Sequence, residues 1–156
     1  EAAQQMITRI CLAAALILAL AAPAQAGPDR LSILLGSSHV GGAGFDGRNP
    51  GVFLTWEDRG PGLDLSVGAY RNSYGRASLA ATVALPGARW RDGEVSIFAG
   101  AALYPQDGRR FRAHLGDLVP IGGVQVRHGA AFLQIMPSDG GAVDAVIAMG
   151  LTFSLE

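Results

Sequence analysis

Hydrophobic and polar residues alternate along most of the chain beyond residue 30. The last such segment is the clearest, because every second position from Val143 to Leu155 is apolar. Residues 63–70, 77–85 and 94–103 show the same period of two, which is that of a β-strand with one apolar face. The pattern predicts eight strands, at roughly 30–40, 50–57, 63–72, 76–85, 94–104, 117–127, 130–137 and 143–155.

Strand length and number favour a barrel that crosses a membrane. Several predicted strands approach the ~9–11 residues that a tilted strand needs to cross a bilayer, and eight is the smallest common number in a bacterial outer-membrane barrel. We therefore predict an all-β fold: an eight-stranded antiparallel transmembrane β-barrel in the bacterial outer membrane. A soluble lipocalin-like barrel or sandwich would show the same alternation and stays open. The residues expected to face lipid include Leu79, Val83, Ile97, Ile147 and Leu151.

A cleavable signal peptide is predicted ahead of the barrel. Arg9 supplies a positive charge, residues 10–22 an apolar stretch, and Ala24-Gln25-Ala26 a small-x-small cleavage site. The apolar stretch is short for a transmembrane helix, although an uncleaved anchor is the alternative. We expect residues 1–26 to comprise the signal peptide with upstream residues, and residues 27–156 to form one barrel domain.

Composition narrows the classes of partner. The chain has 12 basic residues, all arginine, against 13 acidic ones, and the formal net charge of −1 argues against nucleic acid. Its single cysteine, Cys11, falls in the predicted signal peptide, so the mature domain has neither disulfides nor thiol chemistry. We expect no metal and no cofactor, and a monomer whose partners are the phospholipid and lipopolysaccharide of the outer membrane.

The predicted barrel brings distant polar residues together at one rim. With the N-terminus in the periplasm, His39 at the end of strand 1 and Asn72-Ser73 after strand 3 share the external rim. The longest connection is then external, as in known barrels of this kind. The predicted external segments are 41–49, 71–76, 105–116 and 138–142, and the predicted periplasmic turns are 58–62, 86–93 and 128–129.

The rim residues suit one kind of chemistry. A serine becomes a useful nucleophile when a histidine takes its proton, and a third polar group usually orients the imidazole. His39, Ser73 and such a partner would suit acyl transfer through an ester. A serine in a turn and a histidine near a loop are also common without any catalytic role, so the pair alone does not decide between the two.

Small interior residues bear on a lipid substrate. Eight-stranded barrels are normally filled by their own side chains or hold one small ligand. The small residues predicted to face inward leave room for an acyl chain, unless they reflect a narrow, tightly closed barrel. They are Ser66, Gly68, Ala80, Ser96, Gly100, Ala102, Ala148 and Gly150.

Three prolines bear on how a lipid would reach that interior. Pro50 opens strand 2, Pro120 lies within strand 6 and Pro137 ends strand 7. A proline cannot donate to a ladder and belongs at edges or gaps. A gap between strands 6 and 7 would admit a lipid tail sideways from the membrane. The alternative is that these prolines only begin and end strands.

Four segments, which span nearly all of the mature chain, resemble in order the outer-membrane lipid A palmitoyltransferase family. They are GRNPGVFLTW, LSVGAYRNSYGRASLAA, GDLVPIGGVQVRHGAAFLQIMP and VIAMGLTFSL. That family is an eight-stranded barrel with an internal acyl-chain pocket and lateral openings marked by prolines. It moves a palmitoyl chain from a phospholipid to lipid A in the outer leaflet. The resemblance implies catalytic roles for His39, Asn72 and Ser73.

The segment YRNSYGR around that pair also suggests lipid contacts. Arg71 and Arg76 would pair with headgroup phosphates, which guanidinium binds well, and Tyr70 flanks them. Gly68 and Gly100 are expected to line the acyl pocket. Arg109, Arg110 and Arg112 in the long external loop either extend the headgroup surface or hold neighbouring lipopolysaccharide.

Two departures from the family pattern weigh against the enzyme. Asn72 replaces the family's aspartate, and an amide can orient an imidazole but cannot stabilise its charge; in the serine-protease triad such a swap costs roughly four orders of magnitude in rate. Asp46 in the first external loop is a candidate substitute. The family's amphipathic helix before the barrel has no room here, because strand 1 starts within a few residues of Gly27.

Three functions therefore remain open from the sequence. The first is a lipid A acyltransferase or a related lipid-acting enzyme. The second is a catalytically silent barrel of the same fold, which binds lipid or alters surface properties. The third is a soluble ligand-binding barrel.

Overall fold

The computed structural model describes residues 27–138 and 143–155, and the predicted signal peptide lies outside that part of the chain. Eight strands close into one antiparallel barrel in chain order, with β8 pairing back to β1. The all-β, eight-stranded antiparallel prediction is confirmed. The strands are β1 Arg30–Val40, β2 Gly51–Arg59, β3 Leu63–Arg71, β4 Ala77–Trp90, β5 Gly93–Leu103, β6 Leu118–His128, β7 Ala131–Pro137 and β8 Ala145–Ser154.

The connections divide the barrel into a loop end and a turn end, as predicted. The loop end carries the segments 41–50, 72–76, 104–117 and 138–144, whose residues 139–142 lie outside the described part. A single 3-10 turn, Gly108–Arg110, lies in the long loop. The turn end carries 60–62, 91–92 and 129–130. Within the described residues, no helix is long and apolar enough to span a membrane.

The hairpin between β4 and β5 differs from the prediction. The expected turn at 86–93 is only residues 91–92, because β4 continues to Trp90. Pro86 lies inside β4 and faces Ser96 in the ladder with β5. The pairing of β4 with β3 ends at Ala84, so β4 has an open edge at Pro86, where a missing N–H is tolerated.

The outer surface of the barrel is apolar. Of the residues expected to face lipid, Ile97 is 59% exposed, Leu79 58% and Leu151 38%, whereas Val83 and Ile147 are half-buried. The alternation placed Val143 on the same face, but its side chain lines the interior. Val143 precedes β8, so the alternation of that strand does not extend to it. Other large apolar side chains exposed on the strands are Leu35, Val40, Val52, Leu85, Trp90, Leu103, Leu118, Val124, Ile135, Met149 and Phe153.

The interior is layered from the turn end upward. The charged layer is nearest the turn end; there Glu57 bonds Arg30 and Arg127, each at 2.8 Å. Its members are Arg30, Glu57, Asp64, Glu94 and Arg127. Inward-facing side chains recur every second residue along a strand. The inward-facing residues next to the charged layer, on its loop-end side, are polar and form a polar belt. Its members are Ser32, Thr55, Ser66, Gln125, Gln134 and Thr152.

An apolar cluster extends from the level of the polar belt toward the loop end, with Phe132 on the turn-end side of the belt residue Gln134. Leu34, Phe132 and Ala148 are buried against one another, and Phe53, Tyr70 and Met136 pack on them. Leu34 and Met136 each follow a belt residue by two positions on their strand. This apolar layer therefore separates the charged layer from the rim.

Two seams in the barrel wall open toward the loop end. β6 pairs with β5 along its whole length, but with β7 only from Val124 to His128. Pro120 lies in the part of β6 that β7 leaves, and Pro137 ends β7. β1 likewise pairs with β2 only up to Leu34, although it pairs with β8 out to Val40. The gap predicted between strands 6 and 7 is present in the strand pairing.

Candidate functional site

A cavity of about 770 Å³ occupies the barrel interior. Ligand pockets are typically about 300–1,000 Å³, so the volume is that of a binding site. The cavity runs from the charged layer, through the polar belt and the apolar layer, to the loop end. His39, Ser73 and Tyr70 all line its upper part. His39 and Ser73 are more than thirty positions apart in the sequence, and the structure brings both to one cavity.

A register shift in β1 turns His39 inward. Before the shift the even-numbered Leu34 faces the cavity, and after it the odd-numbered Ser37 and His39 do. The shift occurs where the backbone N–H of Ser37 donates to the carbonyl oxygen of Gly47, at 2.9 Å, instead of to β2. The imidazole of His39 stacks on Phe45, with ring centroids 4.5 Å apart and planes at 11°. Aromatic stacking holds this ring in place.

Asn72 is committed to the turn between β3 and β4. Its side chain is fully buried. Its carboxamide oxygen accepts hydrogen bonds from the backbone N–H of Tyr74 at 2.9 Å and of Arg76 at 3.1 Å. Its carboxamide nitrogen donates to the hydroxyl of Ser78 at 2.9 Å. These bonds shape the turn that places Ser73 on the cavity wall, so the contribution of Asn72 in this geometry is to position the turn.

Asp46, the candidate substitute for the family's aspartate, is engaged elsewhere. One of its carboxylate oxygens lies 3.2 Å from a guanidinium nitrogen of Arg71, and the other accepts the backbone N–H of Arg48 at 2.9 Å. Its own backbone N–H donates to the carbonyl oxygen of Ser73 at 3.3 Å. Asp46 therefore joins the first loop to the Ser73 turn, while its charge is directed at Arg71.

The second arginine of the turn also has a carboxylate partner. Arg76 and Arg110 both bond the carboxylate of Asp107, the latter at 2.8 Å. Burial raises the pKa of that carboxyl, but the hydrogen bonds from Arg76 and Arg110 outweigh burial and hold the pKa below its usual value. Arg71 and Arg76 remain 49% and 43% exposed. Each can therefore meet a headgroup only while it shares its charge with a loop carboxylate.

A cluster of aromatic side chains, which the sequence did not single out, covers the loop end of the cavity. Tyr74 lies between Phe45, with ring centroids 6.0 Å apart, and Phe111, at 6.4 Å. Tyr104 packs on Phe111 at 4.8 Å, and the guanidinium of Arg110 lies 4.7 Å above the Tyr74 ring. The available signal was that each of the first three loops carries an aromatic residue within three positions of an arginine: Phe45 and Arg48, Tyr74 and Arg76, and Phe111 and Arg110.

Two predicted pocket residues do not reach the cavity. Among the described residues, the cavity wall includes neither Gly68 nor Gly100. A Cβ at Gly68 would fall on the ring of Phe53, which covers this glycine, and a Cβ at Gly100 would fall on the carbonyl oxygen of Ala81. Tyr70 packs on the same Phe53, with ring centroids 5.9 Å apart. The space left by the small residues is therefore partly filled by Phe53.

Comparison with known proteins does not assign the chain to a family. The chain matches no family model and no curated protein. Within the described residues, no group of three or more histidine, cysteine, aspartate or glutamate side chains is placed to hold a metal ion.

Proposed function

We propose that this chain is an outer-membrane acyltransferase that moves a fatty acyl, palmitoyl-like chain from a phospholipid to lipid A. One observation carries the proposal: His39 and Ser73 line the mouth of a cavity whose next layer inward is apolar. A reacting ester at the mouth would place its acyl chain among the side chains of that layer. The seam between β6 and β7 supplies a path from the bilayer to this position.

The chemistry assigned to the pair is a two-step acyl transfer. The hydroxyl of Ser73 attacks the ester carbonyl of the phospholipid, and His39 takes its proton and returns it to the departing lysophospholipid oxygen. A hydroxyl of lipid A then attacks the acyl-serine, and its proton passes through His39 back to Ser73. The amide of Asn72 is engaged in the turn and does not orient His39. The imidazole is instead held by stacking on the ring of Phe45.

The outer membrane is the proposed location because of the barrel surface. A soluble monomer rarely exposes a contiguous apolar patch of more than a few hundred Å². Here large apolar side chains are exposed on every strand except β3. Ile97 and Leu79 are the most exposed of them. The exposed Arg109 and Arg112 of the long loop are available to phosphates of lipopolysaccharide.

A catalytically silent barrel of the same fold is the second candidate. It is favoured by the side chains of Asn72 and Asp46, because neither polar group is directed at an imidazole. In that case the cavity binds a lipid chain without transferring it.

Mass spectrometry of lipid A from cells with and without the protein separates the two candidates. We expect lipid A with one additional acyl chain only when the wild-type protein is expressed, and none with Ser73→Ala. Unchanged lipid A with a folded, membrane-inserted wild type would favour the silent barrel. Membrane fractionation with heat-modifiable gel mobility tests the location, and a barrel found only in the soluble fraction would contradict it.

A further inference from the structure

We propose that the barrel is also an ion-conducting pore, gated by a salt bridge that spans its lumen between Glu57 and Arg127. Strands β2 and β6 are separated by three strands in either direction around the closed barrel, so they lie opposite each other. Guanidinium Nη1 of Arg127 on β6 nevertheless lies 2.8 Å from carboxylate Oε1 of Glu57 on β2. These two side chains therefore meet across the lumen and close it. Ion flow needs no acyl transfer, so the pore is tested independently of the proposed enzyme.

The cross-lumen pair forms the turn-end wall of the barrel cavity. Arg30 and Arg127 line the turn-end part of the cavity, and Ser138 and Val143 line it at the loop end, beside the aromatic cluster of the first three loops. The Glu57 side chain is 28% exposed, although it is not on the cavity wall formed by the described residues. Its exposed part must therefore face the turn-end opening. The layer of paired charges between the cavity and that opening is thus one side chain thick.

Arg127 has a second carboxylate partner on its own side of the lumen. Its Nη2 lies 3.6 Å from Oε1 of Glu94, which is its direct partner in the ladder between β5 and β6. Glu57 in turn accepts a hydrogen bond of 2.8 Å from Arg30 on the adjacent β1. When the guanidinium of Arg127 moves wholly to Glu94, Glu57 keeps Arg30, and each side of the barrel wall keeps an ion pair.

Opening the lumen in this way leaves no buried charge without a partner. A buried ion that loses its only partner is strongly destabilising, which would hold a simple salt bridge shut. Here the closed and open arrangements differ by the cross-lumen bond between Glu57 and Arg127. Arg89 bonds the other oxygen of Glu94, Oε2, at 2.6 Å, so Oε1 stays available to Arg127. One guanidinium with two alternative partners, only one of which closes the lumen, is a two-state gate.

Single-channel recording tests the gate. The purified barrel is inserted into planar phospholipid bilayers in potassium chloride, and the fraction of time for which it conducts is compared among variants. Glu57→Gln and Glu94→Gln each remove one negative charge that Arg127 can bond, but from opposite sides of the lumen. Arg91→Gln with Asp92→Asn is the matched control, because this exposed pair in the β4–β5 turn lies at the same end of the barrel.

We expect the wild type to open briefly. Glu57→Gln should raise the open fraction by roughly tenfold or more, the ratio that loss of one hydrogen bond between charged groups produces. Glu94→Gln should lower the open fraction, because Arg127 is then left with Glu57 alone, and the control should leave it unchanged. A general loosening of the barrel would instead shift both variants in the same direction, which would overturn the gate. A wild type that never conducts would overturn it as well.

A second variant guards against misfolding. Glu57→Gln leaves Arg30 without its carboxylate, so Arg30→Gln with Glu57→Gln replaces it if the single variant does not insert. The double variant removes one whole ion pair, keeps Arg127 on Glu94, and should open as often as Glu57→Gln. If neither inserts, the effect of Glu94→Gln on the wild-type openings decides alone.

A cysteine in the cavity shows where the current passes. Thr82 on β4 lines the cavity, and its neighbour Ala81 points to the other face of the strand. The one native cysteine, Cys11, lies in the predicted signal peptide. A bulky, charged thiol reagent should block the openings of Glu57→Gln combined with Thr82→Cys, and should leave those of Glu57→Gln combined with Ala81→Cys unchanged. Equal responses of the two would place the current outside the cavity and overturn the pore.

Discussion

The carboxamide nitrogen of Asn72 donates a hydrogen bond of 2.9 Å to the hydroxyl of Ser78, and both side chains are buried between the end of β3 and the start of β4. The carboxamide oxygen holds two backbone N–H groups of the same turn. A position that the resemblance assigns to catalysis therefore maintains the geometry of the turn that carries Ser73.

Asn72→Ala should destabilise the barrel. It removes the acceptor of two backbone N–H groups and the partner of Ser78, and each buried polar group left unpaired costs about 1–3 kcal/mol. We expect the free energy of unfolding to fall by roughly 2–4 kcal/mol, measured by reversible urea unfolding in lipid vesicles. Asn72→Asp is the control, because a carboxylate can accept from the same N–H groups and from the Ser78 hydroxyl. Equal stability of the alanine and aspartate variants would contradict this role.

The strands were predictable because a barrel with one apolar face imposes a period of two on each strand. The inward orientation of His39 was not, since it depends on the register shift between Leu34 and Gly36, next to the hydrogen bond that the Ser37 backbone N–H donates to the carbonyl oxygen of Gly47. Threading the predicted strands placed His39 and Ser73 at one end, which the structure confirms.

The partners of the rim arginines were beyond sequence reasoning. Arg76 meets Asp107, 31 residues further along the chain, only because the long loop folds back over the turn. The orientation of the Asn72 amide likewise depends on the backbone of one turn and on Ser78. Neither contact follows the alternation of apolar and polar residues. That alternation predicts the strands but not the partners of Arg76 and Asn72.

The outer face of β5 gives a test of membrane insertion. Ile97 lies near the middle of the strand and is 59% exposed, and Leu103 on the same face ends it. In a bilayer, Ile97→Arg should cost about 2–4 kcal/mol and Leu103→Arg about 0–1 kcal/mol, because the penalty depends on depth. Unfolding titrations of both variants in lipid vesicles measure the difference. Equal, small costs would indicate a surface that faces water.

Two glycines that the sequence treated alike should respond differently to alanine. At Gly68 the new Cβ meets the ring of Phe53, which can rotate into the cavity, so Gly68→Ala should fold and bind shorter acyl chains. At Gly100 the new Cβ meets the backbone of Ala81 and Thr82, which cannot move without disturbing β4. Gly100→Ala should therefore cost about 1–3 kcal/mol in unfolding free energy. Product lengths and urea titrations distinguish the two, and identical behaviour would contradict the assignment.

Asp107 should make the long loop sensitive to acid. Its pKa is lower in the folded state than in the unfolded state, because the bonds from Arg76 and Arg110 outweigh burial. The carboxylate therefore stabilises the loop fully above its unfolded pKa of about 4, and this contribution is lost as the pH falls through the folded pKa. Hydrogen exchange of the 104–117 amides, corrected for intrinsic rates, should lose protection below about pH 4.

Asp107→Asn tests the ion pairs of Asp107 with Arg76 and Arg110 at neutral pH. Arg76 and Arg110 are 43% and 60% exposed, so solvent weakens their ion pairs with Asp107. We therefore expect amide hydrogen exchange in the loop to quicken about tenfold at pH 7, which corresponds to about 1.4 kcal/mol. The acid-induced change should also disappear. Asp117→Asn in the same loop is the matched control. Exchange that is equally fast in both variants would remove the special role of Asp107.

The decisive prediction concerns His39 and Ser73 as a reacting pair. Either alanine substitution should lower acyl transfer by roughly three orders of magnitude, because a serine without its base and a base without its nucleophile are equally ineffective. The double variant should be no slower than either single one, since residues that act as one unit show strongly non-additive losses. Single-turnover transfer from a labelled phospholipid to lipid A measures all three rates.

The controls for this pair keep the residue types and change the positions. His114→Ala alters an exposed histidine in the long loop at the same end of the barrel, and Ser38→Ala alters the serine that precedes His39 on β1. Both should transfer at wild-type rates, and all variants should retain heat-modifiable mobility. Losses that multiply in the double variant would mean that His39 and Ser73 act independently. A Ser73→Ala variant with full transfer would instead assign His39 alone, as the base that activates the lipid A hydroxyl directly.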